Sequence, residues 1–187
     1  ALSDPSKMVQ RTAAWALRQL SARKGIGFEA IASALTDQND RARWGATRVF
    51  ATHFSHLAPR AELADRLLRL VEDPVATIRM QALKGLWQWW YWTGDERLRD
   101  RIEDAFFARL ARPEHPWVRR NLQEGLYNLA DDNIRYLYNN WVPLLGEQQD
   151  RERAILGRLA IERRIAEKAA RALREGNDLQ REGVLRG

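Results

Sequence analysis

The sequence predicts an all-α protein, an α-solenoid of about four to five antiparallel helix pairs. Three observations predict it. A helix end, an acidic or Pro-containing turn and a second apolar helix recur four times. The stretches are Leu2-Ser3-Asp4-Pro5 to Leu17, Leu35-Thr36-Asp37 to Phe50, Val71-Glu72-Asp73-Pro74 to Leu86, and Leu110 through Arg112-Pro113 to Leu126. The equivalent positions Val9, Ala42, Ile78 and Val118 follow one another at steps of 33, 36 and 40 residues, the period of a two-helix repeat. Finally, Val, Ile and Thr never alternate with polar residues over a useful length, so no strand is expected.

Residues 7–23 are apolar at Val9, Ala13, Ala16, Leu17 and Leu20, a helical spacing, and Asp4-Pro5 before them supplies a turn and an N-terminal cap. Gly25-Ile26-Gly27 breaks the chain ahead of a short helix at 28–35. The turn from Asp37 to Asp40 leads into helix 41–54. Pro59 stands at the start of 60–71, which repeats Leu and Ala at spacings of three and four. Asp73-Pro74 turns into helix 75–92, and Thr93-Gly94-Asp95 stops it. Helix 95–111 is followed by a turn between Pro113 and Pro116 and by helix 117–130. Asp131-Asp132-Asn133 caps a helix that runs to about Leu145. From Glu147 to Glu175 there is no Pro and Gly157 alone, so this stretch reads either as one long helix or as two broken near Gly157. Asn177-Asp178 caps 179–185, the opening of another inner helix. The expected organisation is a repeat array over 1–146 and its continuation over 147–187, with a long charged helix and a truncated final repeat. Ala1-Leu2 reads as the tail of an outer helix, so the chain is expected to be a piece of a larger protein.

The chain has 187 residues and is 45% hydrophobic, a composition that can bury a core. No run of about 18 apolar residues is present to span a membrane. Cys is absent, which excludes disulfides, thiolate metal sites, a Cys nucleophile and covalent CxxCH haem attachment within this chain. No targeting segment is visible, and the compartment stays open between cytoplasm and periplasm. His53 and His56 read as a helix-end cap or a solvated pair, so no metal site is expected. No Gly-rich phosphate loop, Ser-His-Asp order or metal-ligand spacing appears. No catalytic residue and no cofactor is expected. Basic residues outnumber acids by 31 to 25, a net charge of +6, which suits contact with nucleic acid, acidic proteins or anionic surfaces. Eight Trp is a high number for this length.

The pattern L-x-D-P-x-x-x-V-R-x-x-A-x-x-A-L resembles HEAT repeats of the bacterial kind. Residues 71–86 carry it best, with Asp73, Pro74, Ile78, Arg79, Ala82 and Leu86 in place. Residues 2–17 match with Gln10 at the Arg position. Residues 35–50 lack the Pro, and 110–126 carry Arg112 for the Asp with one extra residue. The resemblance covers about residues 1–130. It implies a non-enzymatic scaffold in which the turn Asp and inner-helix Arg tie neighbouring repeats together, and so a structural role for Asp4, Asp37, Asp73, Arg43, Arg79 and Arg119. The segment is also similar to HEAT segments that accompany c-type haem domains in large exported bacterial proteins, which implies an accessory role beside such a domain. A family of DNA glycosylases that excise alkylated purines uses HEAT-like repeats too, with Trp residues and one Asp flanking the lesion. No position here matches that Asp.

An inner helix shows one stripe to its own outer helix and another to a concave groove. At about 100° per residue, the groove stripe lies two, six and nine residues after the first core position. It holds Arg11, Trp15 and Arg18 on the first inner helix, and Trp44, Arg48 and Ala51 on the second. The third contributes Met80, Lys84, Trp87 and, one turn on, Tyr91; the fourth contributes Arg120, Glu124 and Tyr127. The candidate partner-binding residues are Arg11, Trp15, Trp44, Arg48, Lys84, Trp87, Tyr91, Arg120 and Tyr127. Arg, Trp and Tyr dominate protein-binding hot spots, and the same types stack on bases and pair with phosphates. The expected partner is a protein or a neighbouring domain of the same parent chain, with nucleic acid as the alternative. The competing reading wedges a Trp between helices, with Arg over it as an internal cation–π contact. In Trp87-Gln88-Trp89-Trp90-Tyr91-Trp92, Trp89 falls on the core stripe, while Trp90 and Trp92 are expected against the adjoining repeat or an outside partner.

Overall fold

The computed structural model describes residues 1–24, 27–52, 61–92, 95–130 and 148–186. They form nine helices and, among the described residues, no strand. In chain order these are α1 (Lys7–Lys24), α2 (Phe28–Ala34), α3 (Asp40–Thr52), α4 (Ala61–Leu70), α5 (Ala76–Trp92), α6 (Glu96–Leu110), α7 (Pro116–Ala130), α8 (Gln148–Glu175) and α9 (Asp178–Arg186). Residues 147–175 had two readings, and over 148–175 the chain forms one helix, α8, running through Gly157. The expected helix from Asp131 to Leu145, the breaks at Gly25-Ile26 and Thr93-Gly94, Pro59, and the pair His53 and His56 lie outside the described residues. Gly27 opens α2 with φ of 78°, a left-handed conformation that glycine alone adopts without strain.

Two compact units are present. The first comprises Ala1–Ala105 with Glu114–Asn121, and the second Phe106–Pro113 with Leu122–Gly187. In the first, α3 packs between α1 and α5, α2 lies on α3, and α4 lies on α5. The apolar stripes drive this arrangement. Helix α4 buries Leu63, Ala64, Leu67 and Leu70, and α5 answers with Ile78, Ala82, Leu83 and Leu86. Trp89 is buried as its place on the core stripe required, with its ring edge-on to Phe50 of α3 at 6.0 Å.

The turns that start α1, α3 and α5 share one chemistry. Asp4, Asp37 and Asp73 each accept the backbone N–H two residues on, from Ser6, Asn39 and Val75, at 2.8, 2.8 and 2.9 Å. Arg43 of α3 then reaches back: its Nη1 donates to the carbonyls of Asp37 and Gln38, both at 2.8 Å, while its Nε donates to Asp73 of the following turn at 2.7 Å. Arg79 of α5 repeats the arrangement one turn later. It donates to the carbonyls of Asp73 at 2.6 Å and Pro74 at 3.0 Å, and from Nε to Glu114 at 2.8 Å; Nη2 also pairs with Glu114. The carboxylate hydrogen bond, the first cause in each case, raises both guanidinium pKa values above their ordinary range. The acids are almost wholly out of solvent, at 3% and 0% side-chain exposure, so these are not surface pairs. Removing either arginine would strand a buried charge.

At the first turn the arginine is replaced by Gln10, which is wholly buried. Its Nε2 donates to the Asp4 carbonyl at 2.5 Å, six residues back, the same offset at which Arg43 and Arg79 cap their own turns. The shorter side chain makes no hydrogen bond to Asp37, and its Oε1 has no hydrogen-bond partner among the described residues. Helix α1 also corrects the expected core. Val9 and Leu20 are exposed, at 42% and 45%, and among the described side chains of α1 the buried ones are Gln10 and Ala14. Burying Gln10 to satisfy the turn carbonyl rotates α1 by about one residue from the phase that an apolar count predicts.

In the second unit Phe106, Phe107 and Leu110 of α6 and Leu122 of α7 are buried, and α9 packs on α8. Asn177 opens α9: its Oδ1 accepts the Gln180 N–H at 3.0 Å and its Nδ2 donates to the Ala111 carbonyl at 2.6 Å. Gly183 allows the close approach, since a Cβ there would stand 2.5 Å from Leu110 Cδ2.

The turn equivalence predicts the effect of restoring the missing arginine. Gln10→Arg is expected to raise stability in urea unfolding by about 1 kcal/mol, by pairing with Asp37 and removing the unsatisfied Oε1. A fall in stability would show that the first turn is not equivalent to the two that follow.

Candidate partner-binding surface

Seven of the nine candidate residues have described side chains, and the structure sorts them into three groups. Tyr91 and Tyr127 lie outside the described side chains.

The first group surrounds Trp44 of α3. This indole was expected to face an open groove, but it is only 7% exposed. Lys7 of α1 covers one side of it, its Nζ 4.0 Å from the ring centroid, with the Arg48 guanidinium at 5.5 Å from the same ring. An amphipathic side chain covers the aromatic face while keeping its charge near solvent, and each such contact is worth about 0.5–2 kcal/mol. Trp44 is therefore a support for cations and not an open contact. Arg11 is exposed on α1, four residues after Lys7, and near enough for its charge to act on Lys7 and Arg48. Partial burial lowers the Lys7 pKa; Asp40 opposes the shift, and Arg41 and Arg11 add to it. Burial, then the charge of Arg11, lowers that of Arg48. The charge of Arg11 thus acts against both cations that flank the Trp44 ring.

Trp15 and Lys84 form no part of a buried cluster. Trp15 is 61% exposed, one helical turn beyond Arg11. Lys84 of α5 and Arg120 of α7 are also exposed. Met8 is 76% exposed on the same helix as Trp15, so α1 carries a concentration of open apolar side chains.

The second aromatic group is on α5. Trp87 is half-buried and stacks on Trp90, with ring centroids 5.3 Å apart and planes at 14°. Trp90, expected against the adjoining repeat or an outside partner, is buried, and its Nε1 donates to Glu103 of α6 at 2.8 Å. Arg99 of α6 donates from Nε to the Trp90 carbonyl at 3.1 Å, with its guanidinium 5.7 Å from the Trp90 ring. The buried Glu103 carboxylate is thus used to bind an indole N–H, and Trp90 faces the next helix of the chain. The side chain of Trp92 is outside those described.

Lys7 is the member of this surface that sequence reasoning passed over. Its signal was present: Lys7, Arg11 and Trp15 follow at intervals of four, one flank of α1. Among the described residues, no group of three or more His, Cys, Asp and Glu side chains is placed to hold a metal ion. No described helix is long and apolar enough to cross a membrane.

Exposure separates the two tryptophans by experiment. Trp87→Ala is expected to cost about 2 kcal/mol in urea unfolding, since it removes a half-buried stacked ring. Trp15→Ala is expected to stay within about 0.5 kcal/mol of the parent. Equal costs would place both rings in the same environment and contradict this assignment. No protein-family model and no curated protein sequence matches the chain.

Proposed function

We propose that this chain is a non-enzymatic scaffold, a HEAT-like α-solenoid segment that holds a protein partner or a neighbouring domain of the same parent chain on its basic aromatic surface. The observation that carries the reading is the repeated rung: Arg43 to Asp73 and Arg79 to Glu114, made from the same position of successive inner helices. Such rungs suit an array whose task is to keep a row of helices in register and present their edges. The exposed Trp15 beside Arg11 supplies the kind of residue that dominates protein-binding hot spots.

Nucleic-acid binding, including lesion recognition like that of alkylpurine glycosylases, is the second reading, and the cation cluster of Lys7, Arg11 and Arg48 is what favours it. Phosphate contacts would give an affinity that falls steeply with salt.

A photo-crosslinking amino acid at position 15, in the protein as its own cells make it, tests the leading reading. The expected product is one defined protein, or one defined segment of the same polypeptide, and Arg11→Glu is expected to abolish it. A spread of products no different from those formed at the exposed position 185 would contradict the proposal.

A further inference from the structure

Lys7 and Arg48 share one aromatic ring, that of Trp44, and Arg11 is near enough for its charge to act on both. Arg41 adds a fourth positive charge around Lys7, and Asp40 is the acid that acts there. Partial burial makes this concentration of like charge costly, and an incoming anion would relieve it. Beside the cations, Trp15 presents a ring that is 61% exposed, whereas Trp44 at 7% is closed. The surface therefore pairs two guanidinium forks and an ammonium with one open apolar platform.

We propose that this flank of α1, together with Arg48 of α3, binds an acidic peptide segment of a partner protein, with a carboxylate between Arg11 and Arg48 and an adjacent apolar side chain on Trp15. The proposal rests on the partner-binding reading above and specifies the partner's chemistry. Guanidinium groups match the geometry of a carboxylate and form charge-assisted hydrogen bonds with it. A side chain laid on Trp15 removes apolar area from water and helps to exclude water from the ion pair. One feature favours a peptide over a nucleic-acid strand: the ring at the centre of the cations is covered by Lys7, so no base can stack on it.

The test uses the whole chain and two fluorescein-labelled probes: a twelve-residue peptide alternating Glu with Leu, and a twelve-nucleotide oligothymidine. The peptide is expected to bind, and Arg11→Glu to weaken it at least ten-fold. Trp15→Ala is expected to weaken it at least five-fold with the unfolding midpoint unchanged. The peptide is also expected to slow amine acylation at Lys7 while leaving Lys84 unaffected. Wild-type affinity in Arg11→Glu would overturn the proposal. So would oligothymidine binding more tightly than the peptide and losing affinity in the same variants, which assigns the surface to nucleic acid. If the peptide fails to bind while position 15 still crosslinks to one defined partner, the acidic-segment proposal falls and the partner-binding reading stands. If neither occurs, both fall.

Discussion

An arginine that serves two turns at once is the interaction on which the described packing of helices depends. Arg43 and Arg79 each cap the carbonyls of their own turn and grip the carboxylate of the next. One side chain thereby satisfies orphan backbone acceptors and fixes the spacing between successive turns. The acids are buried and hydrogen-bonded, which makes the rung a constraint on register more than a store of net stability. The apolar stripes of α4 and α5 supply the driving force, but many sliding arrangements could bury them. The Arg43–Asp73 and Arg79–Glu114 pairs select the register in which the turns meet.

The elements of this scheme were legible to different degrees. The Asp73 turn and the Arg43 and Arg79 positions stood out because the motif repeats them at constant offsets. Glu114 did not, because the fourth turn carries its acid after Pro113 and has an extra residue, so a search for Asp before Pro finds Arg112. Gln10 misled the reading of α1. It stands at the Arg position of the motif and outside the apolar positions counted on α1, whereas the need to satisfy the Asp4 carbonyl draws it inside and leaves Val9 exposed. Periodicity reports which residues would prefer burial, and hydrogen-bond demand at a turn can override it.

The candidate surface was legible in residue type and less so in exposure. Helical spacing grouped Arg11, Trp44 and Arg48, and the structure gathers them with Lys7. Spacing alone does not reveal that a neighbouring helix lays a lysine across Trp44 while Trp15 stays open. The fates of Trp90 and Trp15 were likewise set by what lies opposite: Glu103 stands ready for one indole N–H, and no described helix covers the other ring. Within α5, stacking between Trp87 and Trp90 accounts for two of the five aromatic rings of its last turns.

The central claim is that the arginine rung couples successive turns, and a double-mutant cycle on Arg79 and Glu114 tests it most directly. Unfolding in urea of the parent, Arg79→Ala, Glu114→Ala and the double variant gives the coupling free energy. The account predicts a coupling of at least about 1.5 kcal/mol, with either single change costing nearly as much as both together. Additive effects, with a coupling below about 0.3 kcal/mol, would mean that the two side chains meet without holding the turns together.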